Sequence, residues 1–102
     1  MTNQTLVLTA AYNEAGNIEK FITEVRTELP SANILVVEDN SPDGTNEIIC
    51  SLMRRDEKLS LISRQGKLGV GSAHLAGIKW AYAKGFKELI TMDCDFAHKP
   101  SD

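Results

Sequence analysis

Apolar residues recur along this chain with two alternating periods. Thr5-Leu-Val-Leu-Thr9 is a short apolar run that reads as a strand, and Ile18, Phe21, Ile22, Val25 and Leu29 follow at spacings of 3, 1, 3 and 4, one helical face. Asn17 is placed to cap that helix and Pro30 to stop it. Ile34-Leu-Val-Val37 predicts a second, buried strand, and Ser41-Pro-Asp-Gly44 a turn. A second helix carries Ile48, Ile49, Leu52 and Met53 on one side, and Leu59-Ser-Leu-Ile62 predicts a third strand. After the glycine-rich "RQGKLGVGSAHLAG", Ala73, Ala76, Gly77, Trp80 and Ala81 line one face of a third helix, with Lys84 in its last turn and Gly85 closing it. Leu89-Ile-Thr-Met92 predicts a fourth strand, buried by its composition, which runs straight into Asp93 and Asp95.

Strands that are apolar nearly throughout, each followed by a helical pattern, call for a parallel sheet covered by helices through right-handed crossovers. This is an α/β nucleotide-binding architecture. In such sheets ligands sit outside the carboxyl ends of the strands, at the switch in strand order. The polar clusters fall at those ends: "AAYNE" after the first strand, "EDNSPDG" after the second and "DCDFAHK" after the fourth.

Composition narrows the range. A chain of 102 residues, 42% hydrophobic and 25% charged, supports one modest core, so one domain or part of one. Lys and Arg number 11 against 14 acidic residues, a formal charge of -3, and are scattered, which argues against a nucleic-acid footprint. The apolar runs are too short to span a membrane, and residues 1 to 15 lack the pattern of a signal peptide. Cys50 and Cys94 lie in separate elements without C-x-x-C spacing, so neither a disulfide framework nor a zinc site is expected, and the setting read from this is reducing and cytosolic.

The acids carry the chemistry. Asp93 and Asp95 end the fourth strand, and a turning strand end can aim both at one ion; hard carboxylate oxygens suit Mg²⁺ or Mn²⁺ better than a soft metal. A lone D-x-D is more often a solvated loop or a cap, but here it is not alone. Asp39 follows the second strand beside Glu38 and Asn40, and its carboxylate can accept the N–H of a nucleobase. The turn from Ser41 to Thr45 also reads as a helix entry with Asp43 as a cap. Tyr12 can flank the same base, while Glu14 has two open readings, ribose contact or helix cap. The stretch "KLGVGSAHLAG" matches neither G-x-x-x-x-G-K-[ST] nor G-x-G-x-x-G, which argues against a P-loop enzyme and a standard dinucleotide fold. Gly69 and Gly71 are expected to permit a tight turn and close helix packing. Arg64 and Lys67 can neutralise a diphosphate but by default are solvated charges. His74 is expected at a helix surface and Trp80 in the core, and His98 stays open between site and loop.

Taken in order, "AAYNEAGNI", "ILVVEDNSPDGT", "RQGKLGVGSAHLAGIKWA" and "LITMDCDFAHKP" resemble the first half of glycosyltransferase family 2, nearest its dolichol- or polyprenol-phosphate mannose synthases. The resemblance covers essentially the whole chain. It implies a GT-A (Rossmann-like) nucleotide-diphospho-sugar transferase fold, truncated after the D-x-D strand, with residues 1–102 forming the N-terminal donor-nucleotide-binding part of a single glycosyltransferase domain. It further implies a hexosyltransferase that moves mannose or another hexose, with inversion, from GDP-mannose or a UDP- or GDP-hexose. The implied acceptor is a polyprenyl or dolichyl phosphate or a glycan, and the implied cofactor Mg²⁺ or Mn²⁺. Carried onto this chain, Ala10, Tyr12 and Glu14 match the first donor-nucleotide loop, Val37 and Asp39 the nucleobase pocket, and Asp93, Cys94 and Asp95 the D-x-D segment. Asp95 and Asp93 are the implied catalytic and metal residues, Asp95 as metal ligand and Asp93 nearer the ribose or sharing the ion. Ala10 and Ala11 replace the usual Pro-Thr, Cys94 stands where alanine is common, and Ala97 removes a side-chain ligand that related enzymes often carry.

Two other readings compete. "ILVVEDN" also resembles the opening of a response-regulator receiver domain, an Mg²⁺-binding phosphoacceptor, although a whole strand and helix precede it. An inactive nucleotide-binding module is the third, because the family's acceptor-binding elements lie downstream of the D-x-D segment. The expectation is therefore the N-terminal part of a longer enzyme at the cytoplasmic face of a membrane, with association through the missing part. By itself it would lack an acceptor site and have an open outer edge on its fourth strand.

Overall fold

The computed structural model describes residues 5–64 and 70–93. Seven elements alternate: β1 (Thr5–Ala11), α1 (Ile18–Glu28), β2 (Asn33–Glu38), α2 (Thr45–Met53), β3 (Leu59–Ser63), α3 (Val70–Lys84) and β4 (Glu88–Thr91). The four strands form one sheet in the order β3-β2-β1-β4. All three pairings are parallel, with Leu8 opposite both Leu35 and Thr91, and Val36 opposite Leu61. The chain builds outward from β1 to β3 and then returns to the far side of β1. Crossovers of one hand that reverse direction put their helices on opposite faces, so α1 and α2 cover one side and α3 the other.

Strand alternation sorts the core accordingly. Val7, Ala11, Ile34 and Val36 meet Ile18, Phe21, Ile22 and Val25 of α1 and Ile49 of α2. Leu6, Leu8, Leu35 and Val37 face Ala73 and Ala81 of α3. On α2 the expected face is only partly covered: Ile49 is buried, Ile48 and Leu52 are half-buried, and Met53 is exposed because it sits in the last turn beyond the sheet.

Three expectations need correcting. β4 is not a buried strand; all four of its residues are exposed, including Leu89 at 37% and Ile90 at 36%, since among the described residues it pairs with β1 alone. Among the described residues nothing pairs with its outer side, the open edge that the sequence also suggested. The close helix packing lies at Gly77, where a Cβ would sit 2.3 Å from the Leu8 Cδ1, and not at Gly71, which has nothing within 4 Å; Gly69 lies outside the described residues. Trp80 is half-buried at the margin of the α3 core, stacked on Phe86 at 5.9 Å with Lys84 Nζ 5.5 Å from its ring.

The helix ends follow the sequence more closely. Asn17 occupies the N-cap of α1 without a side-chain cap bond. Beyond the other end, Arg26 Nη1 donates to the carbonyl oxygens of Leu29, Pro30 and Ala32 while its Nε and Nη2 hold Asp56. One guanidinium thus satisfies the carbonyl of the C-cap residue Leu29 and two carbonyls of the turn that follows, and fixes the approach to β2.

Candidate functional site

The loops after β1 and β2 lie side by side at the carboxyl edge of the sheet, and each contains an asparagine in the left-handed region, Asn13 at φ 57 and Asn40 at φ 52. They are joined by four bonds. The Asp39 N–H donates to the Ala11 oxygen at 3.2 Å. Three consecutive amides then reach across: Asn13 N–H to Ser41 Oγ at 2.9 Å, Glu14 N–H to Thr45 Oγ1 at 3.0 Å, and Ala15 N–H to Asp43 Oδ2 at 3.0 Å. The segment "SPDGT" is therefore a set of acceptors for the backbone that carries Tyr12 and Glu14.

Asp43 does more than cap. Its Oδ1 accepts the Thr45 N–H at 3.1 Å and the Thr45 hydroxyl at 2.5 Å. The Thr45 hydroxyl, followed by the Ala15 and Thr45 backbone amides, holds its carboxyl below the ordinary value of 3.8, against the opposing effect of desolvation. Gly44, at φ 93, supplies the left-handed step into α2. Glu38 is fully buried, and its oxygens accept the N–H groups of Asn40 and Ser41. Sequence reasoning did not assign this brace to Glu38, Ser41 and Thr45, although two adjacent acids at a strand end signal that they leave on opposite faces.

On the α3 face, Asp39 is held by Arg64: Nε to Oδ1 at 2.8 Å and Nη2 to Oδ2 at 3.0 Å. Arg64 was expected to be a solvated charge; its side chain is 13% exposed and that of Asp39 is 7%. The reason is register. The Arg64 N–H donates to the Glu38 oxygen at 2.8 Å, which continues the ladder beyond β3 and sets Arg64 beside Asp39.

The remaining candidates separate by position. Tyr12 and Glu14 are half-buried in the first loop, and Glu14 Oε1 accepts the Asn17 amide at 3.1 Å. Val37 is fully buried in the α3-side core and Ala10 packs partly buried against it, so what either offers at the edge is backbone. The Met92 N–H donates to the Leu8 oxygen at 3.0 Å, continuing the β4 pairing, and exposed Asp93 follows. Cys94, Asp95, Ala97, His98 and Lys67 lie outside the described residues. Among the described residues no group of three or more His, Cys, Asp or Glu side chains gathers to hold a metal, and no helix is long and apolar enough to cross a membrane. His74 is half-buried instead of lying on the surface, with its Nε2 enclosed and without a hydrogen-bond partner, a state it shares with the Thr9 hydroxyl. A surface depression of about 350 Å³ is lined by residues of α1 and of the end of α2 and the turn after it, among them Ile22, Arg26, Leu52, Arg55 and Asp56, and by none of the loop residues above.

Known proteins resemble this chain in sequence and in fold. A polyprenol monophosphomannose synthase of Mycolicibacterium smegmatis is 37% identical over 102 residues, covering 99% of this chain and 38% of that protein. An undecaprenyl-phosphate mannosyltransferase of Micrococcus luteus is 33% identical over 95 residues, covering 93% of this chain and 39% of that protein. The chain thus spans less than two-fifths of the length of either relative. Among solved structures, a mannosyltransferase from Pyrobaculum calidifontis, in complex with GDP-Man and Mn²⁺, superposes with a TM-score of 0.76 at 18% identity, over 93% of this chain and 28% of that one. The sheet order and the helices on both faces are those of a GT-A-like fold. The family model of Glycosyl transferase family 2 matches residues 6–102, and the chain belongs to that family.

Proposed function

We propose that residues 1–102 form the donor-nucleotide-binding part of a glycosyltransferase domain that moves mannose from GDP-mannose, or a related hexose, to a polyprenyl phosphate with inversion. The observation that carries this reading is the bracing, one against the other, of the two loops that carry Tyr12 and Asp39 at the carboxyl edge of a family 2 chain. The two mannosyl-transferring relatives support the sugar and the lipid-phosphate acceptor, and the neighbour bound to GDP-Man and Mn²⁺ supports the donor and the metal. The family match from residue 6 onward favours this over a receiver domain, because β2, which carries "ILVVE", has β1 before it and beside it.

In this reading Asp39 accepts a base N–H, Tyr12 flanks the base, Ala10, Val37 and Cys94 line the pocket through backbone, and Glu14 and Asp93 approach the ribose. Asp93 sits exposed at a strand end and offers hard oxygen donors, so it fits a divalent cation, which Asp95 would hold with it. When bound, Mg²⁺ or Mn²⁺ neutralises charge on the leaving diphosphate. A lipid phosphate acceptor is already ionised near neutral pH and needs little help from a base. The work of these residues would be done at the cytoplasmic face of a membrane. Calorimetric titration with GDP, UDP and GTP, each with and without Mn²⁺, is the test: metal-dependent diphosphate binding that Asp95→Ala abolishes is expected, and indifference to every nucleotide would sink the reading.

A further inference from the structure

Arg64 is a charged group at the carboxyl edge to which the donor-binding reading gives no part. Its guanidinium donates from Nε and Nη2 to both Asp39 oxygens and from Nη1 to Ser72 Oγ at 2.7 Å, in the first turn of α3. Its own backbone is locked to Glu38 by the ladder. A planar, bidentate grip sets the plane of a carboxylate as well as its position. The rotamer of Asp39 is therefore decided by the end of β3 and the start of α3.

We propose that Arg64 is a specificity-determining positioning residue: by fixing Asp39 it makes the pocket select bases that present a ring N–H, such as guanine, over bases that present a ring-nitrogen lone pair, such as adenine. The inference rests on the donor-nucleotide reading. A carboxylate accepts hydrogen bonds and gives none, so opposite a ring N–H it gains a bond and opposite a bare ring nitrogen it meets repulsion. Discrimination of that kind needs a rigid acceptor. A carboxylate free to rotate can turn away from the ring nitrogen of adenine and take its exocyclic amino group instead, whereas one held by Arg64 cannot. Each carboxylate oxygen can accept more than one hydrogen bond, so the grip and a base N–H are compatible.

GDP and ADP share ribose, diphosphate and metal requirement, so the ratio of their affinities isolates the base pocket. Titrating the 102-residue chain with each in Mn²⁺ should show a preference for GDP, and Arg64→Gln should shrink the ratio about tenfold, mainly through weaker GDP binding. Arg64→Lys, which keeps the charge without the planar fork, should fall between, and Ser72→Ala should move the ratio least. With Asp39→Asn already in place, Arg64→Gln should add almost nothing. A proportional loss of both nucleotides, or an unchanged ratio, overturns the proposal, and if Arg64→Gln fails to fold the Lys and Ser72 variants decide it by the same criterion. A wild-type chain that binds GDP and ADP equally also overturns it while leaving the donor reading intact; binding of neither removes the donor reading itself.

Discussion

Glu38 and Asp39 are neighbours in the chain, yet they leave the same strand end on opposite faces and are held by different means. On the α1/α2 face, Glu38 is fully buried and grips backbone amides of its own loop, while Ser41, Asp43 and Thr45 grip three amides of the adjoining loop. On the α3 face, Asp39 is gripped by another side chain, Arg64. Backbone amides cannot change partners without moving the loop, so the first face is scaffold. A side-chain partner can be exchanged while the backbone stays in place, and selectivity can be adjusted there.

The sharpest way to break this contrast is Glu38→Gln. Its amide group keeps one acceptor oxygen but turns an Nε2 donor toward the other of the Asn40 and Ser41 N–H groups, and a buried donor facing a donor in place of a carboxylate costs enough that we expect a loss of about 3 kcal/mol in urea denaturation. A loss below about 1 kcal/mol would mean that the brace contributes little. Next in size is the pair Ser41→Ala and Thr45→Val, which leaves the Asn13 and Glu14 amides without these acceptors and should cost about 2 kcal/mol together. Proteolysis within the first loop should rise with it.

Gly77→Ala probes the other face. The new Cβ would meet the buried Leu8 side chain, an overpacking cost of about 2 kcal/mol that helix propensity offsets by about 1 kcal/mol. A net loss of about 1 kcal/mol is expected, and Leu8→Val should recover part of it. An unchanged midpoint would show that Leu8 can yield.

The smallest effect is the pH dependence from Asp43. Its folded pKa lies below 3.8, so the stability it contributes is present above that value and is lost as the pH falls through the lower, folded one. Wild type should therefore lose an increment of stability on acidification below about pH 4 that Asp43→Asn does not lose. Equal slopes for the two proteins would remove Asp43 from the brace.

Where the governing physics is local, the sequence was a good guide. Spacings of three and four residues announced the buried face of α1, apolar runs announced the strands, and Gly85 marked the end of α3, because helix and strand periods are properties of neighbouring residues. The same holds for the polar loops at the strand ends, whose position follows from the parallel order of the chain. What failed was long-range. Gly77 against Leu8, the amides of Asn13 to Ala15 against the Ser41 to Thr45 turn, and Arg64 on Asp39 join residues far apart in the chain.

By itself, then, the sequence determined the elements, the parallel α/β plan and the family motifs, since each is written in local spacing and residue type. The tertiary structure alone decided that the apolar residues of β4 are exposed, that Glu38 is scaffold while Asp39 faces Arg64, and that Arg64 is held and not solvated. Those outcomes depend on strand register and on which side each crossover passes. Both are set by the whole sheet closing its core at once, and no single stretch of residues encodes them.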